Sequence, residues 1–264
     1  DVVLNNKTGY FLITENDFEP NRWYFLTIVR KDNNGYIYVD GIRCSTFNRS
    51  LTNMPKPVAH YKLDETSGST AVDSSGNGND GTINGATVNQ IGYNGSVGAY
   101  SFDGSNDYII VSHNENLDIL ETLTVSCWFK CTGTISNEMN LVEKDTFDGN
   151  FLHFIKSSKL SGASANFSSP SITLGSVSGN NTINGSTTLV SNIWYHFTST
   201  YEKISSTTKV SLYLNGILDG QATFSGNLDG DANEALTIGG RLGSSYYFNG
   251  QISDVRIYDK VLTP

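Results

Sequence analysis

The chain is short of basic side chains: 17 Lys and Arg stand against 26 Asp and Glu in 264 residues, a formal charge of -9. That deficit argues against a nucleic-acid binder, whose phosphate contacts need a positive surface. Charge of either sign is scarce, at 16% of residues against a usual value of about 25%, so little favours long surface helices. No run approaches the roughly 20 apolar residues of a membrane span. The opening Asp1-Val-Val-Leu-Asn-Asn-Lys7 has neither the basic nor the apolar region of a signal peptide. Starting without Met, the chain is expected to be a fragment or a processed product. Three cysteines, Cys44, Cys127 and Cys131, are an odd number and make no disulfide framework. Four residues of strand would hold Cys127 and Cys131 about 13 Å apart, beyond disulfide reach. Cys127 therefore reads as a small core hydrophobe.

What is present points to strands. Short apolar runs rich in Tyr, Phe, Val and Ile recur at Tyr61–Leu63, Tyr108–Val111, Leu123–Lys130, Phe151–Ile155, Trp194–Tyr201, Val210–Leu214, Leu236–Ile238 and Ile252–Tyr258. Between them lie clusters of Gly, Asn, Ser and Asp, the chemistry of turns. Asp103-Gly104, Asn215-Gly216 and Asn249-Gly250 supply residues that tolerate positive φ, as tight hairpins require. Helical periodicity is absent, and the pattern predicts an all-β antiparallel sandwich or barrel.

An internal repeat emerges when Asn21-Arg-Trp-Tyr-Phe-Leu-Thr-Ile-Val29 and Gly35-Tyr-Ile-Tyr-Val-Asp-Gly-Ile42 are laid beside Asn192-Ile-Trp-Tyr-His-Phe-Thr-Ser-Thr200 and Lys209-Val-Ser-Leu-Tyr-Leu-Asn-Gly-Ile217. Each copy reads Asn-x-Trp-Tyr, a strand, a polar turn, then an alternating strand ending in Asp/Asn-Gly-Ile. The first copy runs quickly into Pro55-Lys-Pro57, a domain boundary by its composition. Residues 1–55 are thus expected to be the C-terminal part of a preceding sandwich, and 57–264 one complete domain. The equivalent positions of Trp23 and Trp194 suggest a core role for both.

From Val58 onward the sequence resembles the laminin-G-like (concanavalin A-like) jelly-roll family, in its bacterial and viral branch. The stretches that carry the resemblance are His60-Tyr-Lys-Leu-Asp-Glu-Thr-Ser-Gly68, Ala71-Val-Asp-Ser-Ser-Gly-Asn-Gly-Asn-Asp-Gly-Thr82, Tyr100-Ser-Phe-Asp-Gly104, Asp107-Tyr-Ile-Ile-Val111, Leu123-Thr-Val-Ser-Cys-Trp-Phe129, Asn192-Ile-Trp-Tyr-His196 and Gly250-Gln-Ile-Ser-Asp-Val-Arg-Ile-Tyr258. Their order and spacing span nearly all of 57–264. The resemblance implies a jelly-roll β-sandwich of two antiparallel sheets, with a partial second sandwich at the N-terminus, on a scaffold used mostly to bind glycans or proteins. Fold alone does not assign function.

The loop Asp73-Ser-Ser-Gly-Asn-Gly-Asn-Asp80 offers hard oxygen ligands spaced by glycines, the kind of donors calcium takes. The plainer reading is a turn whose Asp and Asn side chains cap their own backbone. The family resemblance implies a structural calcium ion tying this loop to the last strand, which would place Asp73, Asn79 and Asp254 around it. A second acidic stretch, Asn227 to Glu234, reads as a solvated loop. For ligand contact the expected residues are Tyr246, Tyr247 and Phe248, three aromatics in a row beside Gly243-Ser-Ser245, with Trp128 as either packing or a sugar-stacking ring. Tyr201 and Asn181 would line a nearby rim. His153, in Phe151-Leu-His-Phe-Ile155, reads as a strand residue, since the four histidines show no metal-ligand spacing.

Catalytic constellations are missing. No Glu-x-Asp-x-x-Glu strand of the laminarinase type occurs, and no Gly-x-Ser-x-Gly or His-Glu-x-x-His. Gly76 to Gly81 matches Gly-x-Gly-x-x-Gly but opens no helix and carries Asp80 where a phosphate needs positive potential. The expected function is a non-catalytic binding or adhesion module at an extracellular, cell or virion surface, calcium-stabilised, with a glycan or a cell-surface protein as partner. The rivals are a structural decoration, fibre or surface-layer subunit acting through homo-oligomer or neighbour contacts, and an ancillary domain of a larger glycoside hydrolase.

Overall fold

The computed structural model describes backbone and side chains for residues 55–132, 139–144, 183–226, 234–240 and 246–262, and backbone for 2–6, 9–13, 26–31, 34–39, 42–48, 151–158, 167–174 and 181–182. The chain divides into two compact units, Asp1–Pro55 and Lys56–Pro264.

Among the described residues of the first unit are five strands. β1 (Val2–Asn6) and β2 (Gly9–Ile13) form an antiparallel pair. β3 (Leu26–Lys31), β4 (Asn34–Val39) and β5 (Ile42–Asn48) form an antiparallel three-stranded meander.

The second unit begins with β6 (Ala59–Tyr61), β7 (Thr70–Ala71), β8 (Gly81–Asn84), β9 (Thr87–Ile91), β10 (Val97–Asp103) and β11 (Tyr108–Val111). After a single-turn 3-10 helix at Glu115–Leu117 come β12 (Thr122–Cys131), β13 (Met139–Lys144), β14 (Phe151–Ser158), β15 (Phe167–Leu174) and β16 (Asn181–Asn184). It closes with β17 (Tyr195–Ile204), β18 (Thr207–Leu214), β19 (Ile217–Ser225), β20 (Leu236–Ile238) and β21 (Asn249–Tyr258). These make two eight-stranded antiparallel sheets. One runs β19-β18-β17-β12-β21-β10-β9, with β6 also on β21; the other runs β16-β15-β14-β13-β20-β11-β8-β7. This is the antiparallel sandwich that the strand pattern and the family resemblance predict.

Period-2 alternation builds the core. Along β12, Leu123, Val125, Cys127, Phe129 and Cys131 are buried between the sheets, and Phe197, Tyr201, Val210 and Leu212 continue that layer on β17 and β18. Ile109, Val111, Val142, Leu236 and Ile238 meet them from the other sheet. Each fully buried side chain of this size contributes roughly 1.5–3 kcal/mol. Cys127 packs as the small apolar residue its strand position requires, and burial with the nearby Asp254 charge pushes its thiol pKa well up. The one buried cation of β13, Lys144 at 1% exposure, is paired with Asp118 at 2.8 Å, as a charge in that position must be.

Turn chemistry held in part. Asn215 and Gly216 both adopt positive φ, 52° and 77°, and close β18 onto β19. Asn249-Gly250 is not a turn: it starts β21, and Gly250 is required because a Cβ there would lie 2.1 Å from the Lys130 carbonyl of β12.

The repeat extends to the hydrogen-bond register. β4 and β5 pair as Val39↔Ile42 and Tyr38↔Arg43 with an irregularity after Ile37; β18 and β19 pair as Leu214↔Ile217 and Tyr213↔Leu218 with one after Leu212, the matching position. β2 ends ten residues before Trp23, and β16 ends ten residues before Trp194. Backbone order in the first unit therefore matches β15 to β19 of the second. Trp194 itself is half-buried, with the Lys130 ammonium 5.1 Å from its ring centre, so it is no core residue.

Candidate functional site

The outer face of the sheet containing β12 carries a continuous band of polar and aromatic side chains. Register alone lines up His60, Arg256, Ser126, Thr198 and Tyr213 in one row across β6, β21, β12, β17 and β18. Trp128 and His196 form the adjacent row, opposite Ser253.

A bulge in β21 sets the geometry. Ile252 and Val255 are both fully buried, although residues three apart on a regular strand face opposite ways. The extra residue is absorbed between Arg256 and Ser253, where β12 advances only from Ser126 to Trp128. Asp254 takes the left-handed conformation there, with φ 51°. A non-glycine residue in that region costs about 1–3 kcal/mol unless its surroundings hold it. They do so through its carboxylate: Oδ1 is 2.8 Å from His60 Nε2 and accepts Arg256 Nε–H at 2.9 Å, while Oδ2 accepts Arg256 Nη2–H at 2.9 Å. Beside it the Ser253 hydroxyl donates to the Gly98 carbonyl.

The electrostatics follow from this pairing. Burial works to raise the Asp254 pKa, but hydrogen bonds and charge from His60 and Arg256 prevail and hold it below the usual carboxylate range. Burial would lower the Arg256 pKa, and Asp254 with Tyr258 outweighs it and raises it. The His196 pKa is pushed down by its own burial, with Asp254 pulling against this and Arg256 adding to it.

Two clefts flank the pair. The first, about 260 Å³, is lined by Ser126, His196, Thr198, Tyr213 and Tyr258. The second, about 210 Å³, is lined by His60, Lys62, Asp64, Tyr93 and Ser253. Asp254 and Arg256 belong to both. Trp128 lies beneath this band, with Tyr93 stacked on it at 4.2 Å and 2° and His196 at 4.9 Å.

The expected ligand residues do not gather. Phe248 is fully buried, edge-on to Phe102 at 6.3 Å and Phe129 at 6.5 Å, so it is a core residue and not a ligand contact. Tyr247 packs against Tyr108 of the other sheet and not against Trp128, and the Tyr246 carbonyl accepts the Asn140 N–H at 3.2 Å. Tyr201 is buried in the core rather than on a rim. The side chain of Asn181 and the loop 227–233 lie outside the described residues, and His153 is described only as backbone of β14.

The expected calcium ligands do not converge either. The Asp73 carboxylate takes four donors: the N–H of His60 and Ser75 on Oδ1, and the Ser75 hydroxyl and Asn79 N–H on Oδ2, all within 3.0 Å. Burial acts to raise its pKa, and those donors outweigh it and lower it. The Asn79 side-chain N–H donates to the Val58 carbonyl, leaving the buried Asn79 Oδ1 as the single acceptor there without a partner among the described residues. Asp254 faces two nitrogen donors, His60 and Arg256, instead of this loop. Calcium needs six to eight oxygen lone pairs at about 2.3–2.6 Å, whereas Asp73's are already filled by hydrogens. These residues do not fit the ion, and no group of three or more His, Cys, Asp or Glu among the described residues is arranged to hold a metal.

The sequence model of a family described as the concanavalin A-like lectin/glucanases superfamily matches residues 103–264. No curated protein matches the chain by sequence. Among solved structures, the chain is similar to domain 4 of AbnA, an extracellular arabinanase from Geobacillus stearothermophilus in complex with arabinotriose, with TM-score 0.58, 24% identity, 80% of this chain and 95% of that one. It is similar to the binding domain of Paraclostridial Mosquitocidal Protein 1, with TM-score 0.60, 18% identity and 79% of this chain. It is also similar to the receptor-binding domain of botulinum neurotoxin mosaic serotype C/D, with TM-score 0.58, 20% identity and 79% of this chain. The match spans about half the length of each toxin domain, 50% and 48%.

Proposed function

The chain belongs to the concanavalin A-like lectin/glucanase superfamily, and from that premise we propose that residues 56–264 form a non-catalytic module that binds glycans on the outer face of the β12 sheet, at a cell or particle surface. The observation that carries this reading is the band around Asp254: a strained residue held by an ion pair, hydroxyls in register on neighbouring strands and two clefts at the same point. Hydroxyl, carboxylate and guanidinium groups set beside aromatic rings are the chemistry that pairs with sugar hydroxyls and ring faces. The likeness to an arabinanase domain in complex with arabinotriose and to toxin binding domains supports a binding role. It also supports the narrower reading of an ancillary domain of a hydrolase. The test is a glycan array probed with the full chain in calcium and in EDTA. Retention on a defined sugar class in both buffers is expected; silence from a folded sample overturns the reading.

A second reading, assembly through neighbouring chains, is favoured by the first unit. There the meander β3–β5 copies β17–β19, and β17 is covered by β12 over eight residue pairs, from Thr122↔Glu202 to Phe129↔Tyr195. Among the described strands, β3 pairs with β4 alone. An open strand edge is a template for another strand. We read this unit as part of a second sandwich, and light scattering that finds only monomer at high concentration counts against assembly.

A further inference from the structure

We propose that the Asp254–Arg256 pair is the shared floor of two subsites for a neutral oligosaccharide, a refinement that rests on the glycan-binding reading. The two clefts have Asp254 and Arg256 in common and otherwise separate linings, so a ligand filling both must cross the pair. Each is smaller than the roughly 300–1,000 Å³ of pockets for drug-sized ligands. At about 260 and 210 Å³ each suits one sugar ring, and the two together suit a short chain.

Charge selects the class of sugar. Asp254 takes the Arg256 guanidinium side-on through two nitrogens, which cancels its charge while fixing its plane, so that its remaining N–H groups are presented in a set direction. Burial holds the His196 pKa below its usual value, and Lys62 stands in the second cleft with Asp64. In both clefts the Lys and Arg side chains are matched in number by Asp carboxylates, Lys62 and Arg256 by Asp64 and Asp254, which leaves no excess of positive charge to recognise a carboxylate or sulfate. What remains is hydroxyl chemistry, with Ser126, Thr198 and Tyr213 able to donate and accept as sugar hydroxyls do. Each cleft also has its own aromatic wall: Tyr213 in the first, and in the second Tyr93, which stays 38% exposed while stacked on Trp128.

The experiment is titration of the full chain with maltotriose, cellotriose, xylotriose and arabinotriose, with their monosaccharides and with 3′-sialyllactose, followed by calorimetry and by Trp128 fluorescence. Tyr213→Ala and Tyr93→Ala should each weaken trisaccharide binding by about tenfold, while a monosaccharide responds to one of the two. Tyr213→Phe, which keeps the ring, should retain the fold, as checked by its melting curve, and lose part of the affinity. Trisaccharide affinity unchanged in both alanine variants, or tighter binding of the acidic sugar than of neutral ones, overturns the two-subsite proposal while leaving glycan binding intact. Silence of the unmodified chain toward these sugars and toward the array removes the glycan reading itself.

Discussion

Asp73 and Asp254 lie on either side of one residue, His60, yet the protein neutralises them by different means. Asp73 accepts the His60 backbone N–H and closes a loop of its own neighbours; Asp254 meets the His60 ring and the Arg256 guanidinium on a sheet surface. The first carboxylate is spent on architecture, because every lone pair is taken by a backbone or neighbouring donor. The second is paired with side chains that line open clefts, so the same ion pair that offsets its strained backbone can also meet a ligand. A buried acid surrounded by short-range donors marks a turn; an acid held by the side-chain nitrogens of His60 and Arg256 at a bulge lies on a surface open to contact.

The largest expected effect breaks the first half of that comparison. Asp73→Ala leaves the N–H groups of His60, Ser75 and Asn79 without their acceptor and should cost roughly 3 kcal/mol, a fall of about 6–12 °C in Tm for a unit of this size, read by calorimetry. The pH dependence has a definite sign. Asp73 has a lowered pKa in the fold, so its contribution is complete above the unfolded value of about 3.9 and is lost as pH falls through the lower folded value. Melting temperature should therefore drop below about pH 4 in the unmodified chain and drop less in Asp73→Ala; parallel profiles would remove the role assigned to this carboxylate.

A smaller effect probes the second half. Asp254→Ala unpairs Arg256 and keeps the left-handed backbone, with an expected loss of about 1 kcal/mol because the guanidinium is partly exposed. Asp254→Gly removes the same carboxylate but adopts that backbone without strain, so it should melt above Asp254→Ala. The reverse order would mean that φ at this bulge carries no cost. The smallest effect separates both aspartates from metal chemistry: melts in calcium and in EDTA should coincide. A rise in Tm with calcium would show that the Asp73 donors rearrange around an ion.

Much of the fold was legible because β12, β17 and β18 alternate cleanly and leave one face apolar. Tyr108–Val111 and Leu236–Ile238 read as strands with their observed bounds for the same reason. In the second unit β7, β8 and β9 were missed because they are short and rich in Gly, Thr and Asn, β13 because it is buried along its whole length and shows no alternation, and β10, β15, β16 and β19 because Gly, Ser, Asn or Asp interrupt their apolar residues. Tyr246-Tyr247-Phe248 misled because three adjacent aromatics cannot share one face: Phe248 took the core side and Tyr247 packed against Tyr108 of the other sheet. A signal for the site was present in Ile252-Ser-Asp-Val255, where apolar residues three apart break a strand's period and announce a bulge. Arg256 carried no signal beyond its proximity to Asp254.

The sequence by itself determined the all-β class, the internal repeat, the family and the alternating core of its clearest strands, because period-2 patterning and turn chemistry are local properties. It could not decide which distant residues meet. His60 and Asp254 are 194 positions apart, and Tyr93 reaches Trp128 from another strand connection. Their contacts depend on strand order and register, which the packing of two sheets selects as a whole. That selection also decided the fate of each aspartate, since the loop around Asp73 and the bulge at Asp254 present different donors to the same carboxylate group.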